Sequence, residues 1–220
     1  PDFVEDQFRT SRSNLGLETV DLYYVHNPET QLAVRSREAV YDRLEAAFRR
    51  LEERVSAGEL NHYGVATWEA FRVPPDHDSY LSLPEVVSQA RSAADAAGND
   101  ATSFRAIQIP FNVVMADAYT QAAHEGTDGP QSARTFAHEA GLDVFTSASL
   151  AQGDLLEGLP PSVAAKLEGD EPVHRAINFA RSAPGEDGEP PENRELEAEE
   201  MGLVPFEGDA IDFRDVIQEQ

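Results

Sequence analysis

The sequence predicts an α/β protein built on parallel strands, and three observations carry that prediction. Short runs of β-branched and aromatic residues alternate with stretches of helical periodicity over residues 2–183. The segments joining one strand to the next are far longer than hairpin turns, as parallel strands require. The strand at 19–29, TVDLYYVHNPE, is almost continuously apolar over residues 20–25, the pattern of a strand covered on both faces.

The elements follow in order. Residues 3–15 read as a helix, with Asp2 as N-cap, Glu5 three positions on, apolar Val4, Phe8 and Leu15, and Gly16 just past the end. After the first strand, the chain turns helical at Ser36. Val40, Leu44, Phe48, Leu51 and Val55 recur at spacings of three and four and mark its buried face, and Gly58 stops it. A short strand is expected at 62–67, a polar loop around Pro74 and Pro75, a helix at 83–97, and a strand at 104–109 ended by Pro110. Residues 118–139 read as a helical stretch broken by the loop EGTDGP, followed by a strand at 143–147 and a small-residue loop at 148–153. Further helices are expected at 162–167 and 171–181. From Pro184 the chain is rich in Gly, Pro and Glu with little to bury, so residues 1–183 form the expected domain and 184–220 an acidic tail, peripheral or disordered.

Composition narrows the function classes. The formal net charge of −24 repels phosphate backbones and anionic lipid, and no basic stripe offsets it, so nucleic acid is not an expected partner. No membrane span or secretion signal is visible, which leaves the cytoplasm as the expected location. Among 17 basic residues only Lys166 is a lysine, against 41 acidic residues spread along the chain, the balance of a halophilic, salt-adapted protein. Cysteine is absent, which removes disulfides, thiolate nucleophiles and Cys-ligated metals. His124-Glu125 and His138-Glu139 belong to no H-E-x-x-H pair, read as solvated helix ends, and leave no metal site expected.

An imidazole at the end of a parallel strand, followed by Asn27 and Pro28, sits where α/β folds place their chemistry. His26 is therefore the foremost candidate, against the plainer alternative of a histidine satisfied by nearby backbone. DLYYVHNPE, preceded by Asn14, Leu15 and Gly16, resembles the fourth-strand signature of the aldo-keto reductases. GELNHYGVATW resembles the fifth strand of that family, AIQIPFN the sixth and TSASLAQGDL the seventh with its cofactor loop, all in family order.

The resemblance implies a partial TIM-type (β/α)8 barrel of about four parallel strands with flanking helices. It also implies NADP(H) or NAD(H) as cofactor and a small carbonyl compound, aldehyde or ketone, as substrate. His26 would orient and polarise the carbonyl. Gln108 would bond the nicotinamide carboxamide, and Thr67 lies at a second position for that contact. The loop through Ala148, Leu150 and Gln152 resembles the segment whose backbone amides hold the pyrophosphate. Asn27 and Trp68 are the expected substrate-facing residues, with simple packing the alternative for Trp68.

Three departures accompany the resemblance. Ala66 replaces the usual serine, and Ser147 stands where many members carry an aromatic ring. The tyrosine, lysine and aspartate of the family's acid machinery belong to its first three strands, whereas this sequence opens at the helix after the third. A partial barrel leaves strand edges uncovered, so self-association is an expectation. The rival to a carbonyl reductase is a non-catalytic remnant or binding module of the same fold.

Overall fold

A computed structural model of the chain describes residues 2–112, 114–127 and 129–149. The helices expected at 162–167 and 171–181, the 183/184 boundary and the acidic tail lie outside the described residues, as do Leu150 and Gln152.

Helix α1 (Asp2–Leu15) leads into strand β1 (Val20–His26), a 3₁₀ helix (Pro28–Ala33), α2 (Arg37–Ser56), β2 (Leu60–Ala66), α3 (Leu83–Ala97) and β3 (Phe104–Pro110). Short elements follow: α4 (Asp117–Thr120), β4 (His124–Gly126), β5 (Gly129–Gln131), α5 (Ala133–Glu139) and β6 (Asp143–Ser147). Four strands form one sheet in the order β1-β2-β3-β6, with β1/β2 and β2/β3 parallel. With helices flanking it, this is the architecture of a partial TIM-type barrel.

Local chemistry explains the element ends. Ser36 caps α2 by accepting from the Ala39 amide at 3.3 Å, and Ser82 caps α3 by accepting from Glu85 at 3.4 Å. Gly98 closes α3 in the left-handed region at φ +81°, where a side chain would be strained.

The helices cover one face of the sheet. Phe8 of α1 meets the Tyr23 ring edge-on at 5.3 Å, and Phe48 of α2 packs on Tyr63 and Phe104 at 5.2 and 5.5 Å. Val65, Ile107 and Ile109 are fully buried in the same cluster. Beneath it, the buried Glu52 carboxylate of α2 accepts from the Tyr63 hydroxyl, Thr102 Oγ1 and the Ser103 amide through Oε1, at 2.8–2.9 Å, and from Asn99 Nδ2 through Oε2 at 2.7 Å. Burial pushes the Tyr63 phenol up, and the neighbouring carboxylate adds to the shift.

The other face carries Tyr24, His26, Gly64, Ala66, Ala106 and Gln108, because side chains alternate along each strand. An irregularity between Tyr63 and Gly64 in the β2/β3 pairing sets Gly64 opposite Ala106. A Cβ on Gly64 would fall 2.1 Å from the Ala106 carbonyl oxygen and 3.0 Å from the Tyr24 ring, so only glycine fits. Over this bare patch Tyr24 and Phe145 meet edge-on at 6.3 Å, although their strands are three spacings, roughly 14 Å, apart along the sheet.

Three expectations need correction. Strand β1 is not buried on both faces: Val20 is buried, but residues 22–25 are half-buried and His26 is exposed. It is the outermost strand of the sheet order, with a partner on one edge among the described residues. Residues 118–139 are not chiefly helical either. Between α4 and α5, β4 and β5 form an antiparallel hairpin that pairs His124 with Gln131 and Gly126 with Gly129.

His124, expected at a solvated helix end, is instead fully buried on β4. Its Nε2–H donates to the Phe71 carbonyl at 2.9 Å and its Nδ1 accepts from the Leu83 amide at 3.2 Å. Tyr80 stacks on the ring at 5.7 Å. A carbonyl can only accept and an amide can only donate, so these two bonds define one neutral tautomer. Burial lowers the imidazole below its ordinary 6.5, the Phe71 bond opposing. His138, by contrast, lies exposed in the last turn of α5, as expected.

Residues 2–109 with 117–145 form one compact unit, and the other described residues, 110–112, 114–116 and 146–149, group separately. In that smaller group the Phe111 amide donates to Ser147 O at 2.9 Å, and buried Asn112 donates through Nδ2 to Ala148 O at 2.8 Å.

Candidate active site

Three adjacent strands end in register. His26 pairs with Ala66, and Ala66 with Gln108, so imidazole and carboxamide stand in one row on the helix-free face, separated by a single methyl. Two strand spacings put their Cα atoms roughly 10 Å apart. The row is carried on by backbone: the Asn27 amide donates to Ala66 O at 2.7 Å and the Thr67 amide to Gln108 O at 2.9 Å. Neither His26 nor Gln108 spends its side chain on a hydrogen bond among the described residues.

Thr67 is buried, and its Oγ1 has no hydrogen-bond partner among the described residues. A buried hydroxyl left unpaired costs about 1–3 kcal/mol. Trp68, next along, is half-buried. Its amide and that of Glu69 donate to Glu29 Oε1 at 2.8 and 3.2 Å, while its carbonyl accepts from Arg72 Nε at 2.8 Å. Arg72 is itself held by Asp117 at 2.8 Å. The loop after β2 is thus clamped at its first turn.

Asn27 adopts the left-handed region at φ +46°, which lets the chain reverse from β1 into the 3₁₀ helix. Thr30 secures the turn, its hydroxyl donating to Asn27 O at 2.8 Å. Ala148, after β6, is the second non-glycine residue at positive φ, +58°, among the described residues. For alanine this conformation is strained, and strain of this kind concentrates at ligand-binding turns.

Of the residues singled out from sequence, the fold brings His26, Asn27, Thr67, Trp68 and Gln108 to neighbouring strand ends in one unit. Ser147 and Ala148 belong to the other unit, tied to Phe111 and Asn112. Glu29 and Asn112 went unnoticed as site-builders. Both lie inside quoted motifs, DLYYVHNPE and AIQIPFN, and a carboxylate right after a Pro at a strand end was the available signal for the first.

Residues 1–74 match the Aldo/keto reductase family. The matched aldo-keto reductase segment runs from α1 to the loop after β2 and includes His26, Asn27, Thr67 and Trp68, but not Gln108. No curated protein matches the chain. The family match points to oxidoreductase activity, and none of the described helices is long and apolar enough to cross a membrane.

Proposed function

We propose that this chain supplies the carbonyl- and nicotinamide-facing part of an NAD(P)H-dependent reductase of aldehydes or ketones. The observation that carries this reading is the His26–Ala66–Gln108 row with the unpaired Thr67 hydroxyl beside it. His26 donates an imidazole N–H to the carbonyl oxygen, stabilising the charge that grows there on reduction. Gln108 and Thr67 hold the carboxamide of the nicotinamide, an amide offered both donors and acceptors, and so select the ring face presented. The small Ala66 keeps the space between them open. When bound, the cofactor supplies the hydride. Ala148, with Leu150 and Gln152 beyond the described residues, is proposed for the phosphate side and Ser147 for the nicotinamide side, and Asn27 and Trp68 border the substrate.

The acid excess, 41 residues against 17 basic, supports a salt-rich cytoplasm as the working environment. The test is titration of the chain with NADPH in high salt, following nucleotide fluorescence. Saturable binding that weakens about tenfold in Thr67→Val or Gln108→Leu, the loss expected for one hydrogen bond in a buried site, supports the reading. No binding at millimolar nucleotide sinks it in favour of a non-catalytic module.

A further inference from the structure

Residues 67–82 join β2 to α3, and the two arms of this loop come together at a neck. The Leu81 amide donates to Ala70 O at 3.1 Å, and the Tyr80 hydroxyl donates to Ala123 O at 2.6 Å. His124, next on β4, holds both arms at once. Its Nε2–H donates to Phe71 O on the outgoing arm, and its Nδ1 accepts the Leu83 amide where the returning arm enters α3. A cleft of about 750 Å³ beside Asn27 is walled by both arms, with Trp68 and Glu69 on one and Asp78 and Ser79 on the other. One imidazole thus ties together the two segments that wall the cleft.

We infer that His124 is a pH-operated latch: a proton gained at Nδ1 parts the neck, frees the returning arm and widens the cleft, while the four-stranded sheet stays folded. The latch needs no nucleotide and is independent of the reductase reading.

Protonation does not fit a closed neck. The new Nδ1–H would point at the Leu83 N–H, one donor against another. Both ring nitrogens are taken by backbone, so no carboxylate can reach either to offset the charge, and a buried unpaired cation is costly. Tyr80, stacked on the imidazole, already has the Arg37 guanidinium 5.2 Å from its ring centroid, which sets a second cation nearby. The imidazolium gains water and an acceptor only when the arms separate. Burial moves the imidazole in the matching direction, below its ordinary 6.5, so the open form takes up the proton first as pH falls.

The other titratable groups around the ring are engaged elsewhere or exposed. Tyr41 of α2 accepts the Ser82 amide through its hydroxyl at 2.7 Å, and Glu85 of α3 accepts from Gln89 at 2.6 Å. On α5, Glu139 accepts from Gln131 at 2.9 Å, Arg134 lies over the Tyr119 ring and His138 is exposed, as is Glu125 beside His124 on β4. His77 at the exposed loop tip competes as a trigger, because its Nδ1 accepts the Ser79 amide at 3.1 Å and its carbonyl accepts from Arg37 Nη2. Full burial of Phe71 and Leu81 keeps the latch shut at neutral pH, whereas residues 74–78 between them are exposed and lose little on moving.

Trp68 is the single tryptophan of the chain, and its carbonyl accepts from Arg72, one residue past Phe71, so its emission follows the neck. The full-length chain in high-salt buffer is taken from about pH 8 to about pH 4, spanning the ordinary imidazole range and the values that burial reaches below it. Trp68 emission should shift to the red reversibly while the far-ultraviolet dichroism holds. Exchange of the Leu83 amide, read by NMR and corrected for its intrinsic pH dependence, should quicken at least about tenfold over the same step. His124→Gln presents one acceptor and one donor without titrating and should remove the step. His77→Asn keeps an acceptor for Ser79 and should retain it. The latch is overturned by no red shift in the wild type, or by a shift that arrives only with loss of the dichroism. Persistence of the step in a folded His124→Gln variant, or its disappearance in His77→Asn, overturns it as well. Should His124→Gln fail to fold, unchanged Leu83 exchange in the wild type overturns it equally.

Discussion

Glu29 Oε1 accepts the Trp68 amide at 2.8 Å and the Glu69 amide at 3.2 Å, joining two strand-end loops 39 and 40 residues apart in sequence. One buried carboxylate thereby fixes the turn that carries Thr67 and Trp68. Glu29→Ala leaves both amides without that acceptor, and hydrogen bonds to a charged group contribute about 1.5–3 kcal/mol. Urea unfolding should show a loss in that range, with Trp68 emission shifted to the red as its loop opens. An unchanged midpoint and spectrum would show that the clamp holds nothing.

Gly64 predicts a second cost. Any Cβ there meets the Ala106 carbonyl at 2.1 Å, a backbone atom that cannot rotate away, and the Tyr24 ring behind it. Gly64→Ala should destabilise by about 1–3 kcal/mol, the usual range for overpacking, and should disturb the Tyr24–Phe145 contact. Thermal melting with tyrosine near-ultraviolet dichroism reads both. A neutral substitution would contradict the close approach of Gly64 to the Ala106 carbonyl.

Much of this architecture was legible from sequence where local chemistry decides it. Helix α3 matches its expected bounds, 83–97, because Ser82 and Gly98 act within one turn of its ends. His26 and Gln108 were legible as strand-end residues, since β-branched runs mark the strands that carry them. The fate of His124 was not. Its partners Leu83 and Phe71 lie 41 and 53 residues away, and the three-residue strands around it, with Gly126, Gly129 and Pro130, carry no periodicity. Glu29 and Arg37 were hidden for the same reason: whether a charged side chain is buried, paired or left open depends on loops distant in sequence.

Glu52 tests the buried network opposite the site end of the strands. Glu52→Gln keeps an acceptor for Tyr63 and Ser103 but turns a second donor toward Asn99 Nδ2, or the reverse if the amide flips. Either way one buried bond becomes a donor–donor contact. Loss of about 1–3 kcal/mol in chemical unfolding is expected, and more for Glu52→Ala, which strands every donor now served by the carboxylate.

His124 makes stability depend on pH with a definite sign. Its folded-state value lies below the ordinary 6.5, so the unfolded chain takes up a proton first as pH falls. Its contribution is present above pH 6.5 and is lost as pH drops through and below that value. Acidification also relieves carboxylate repulsion, so the measurement is the difference between wild type and His124→Phe across that window. The variant should be less stable at neutral pH by about 1–3 kcal/mol, having orphaned the Leu83 amide and Phe71 carbonyl, and the gap should narrow toward acid. A constant gap would contradict the neutral, buried tautomer.

The net charge of −24 predicts the response to salt. At 0.1 M ionic strength the screening length is about 10 Å, long enough for neighbouring carboxylates to repel one another across the surface, and at 1 M it contracts to about 3 Å. Repulsion opposes the compact state more than the expanded one. Melting temperature should therefore rise steadily from low to molar potassium chloride, with most of the gain before the screening length falls below the spacing of surface charges. Sucrose at equal osmolality acts by exclusion rather than screening and should give a smaller gain. Equal melting in low and molar potassium chloride would show that the acidic residues are too far apart to strain the fold, and the salt-adapted setting would lose its physical basis.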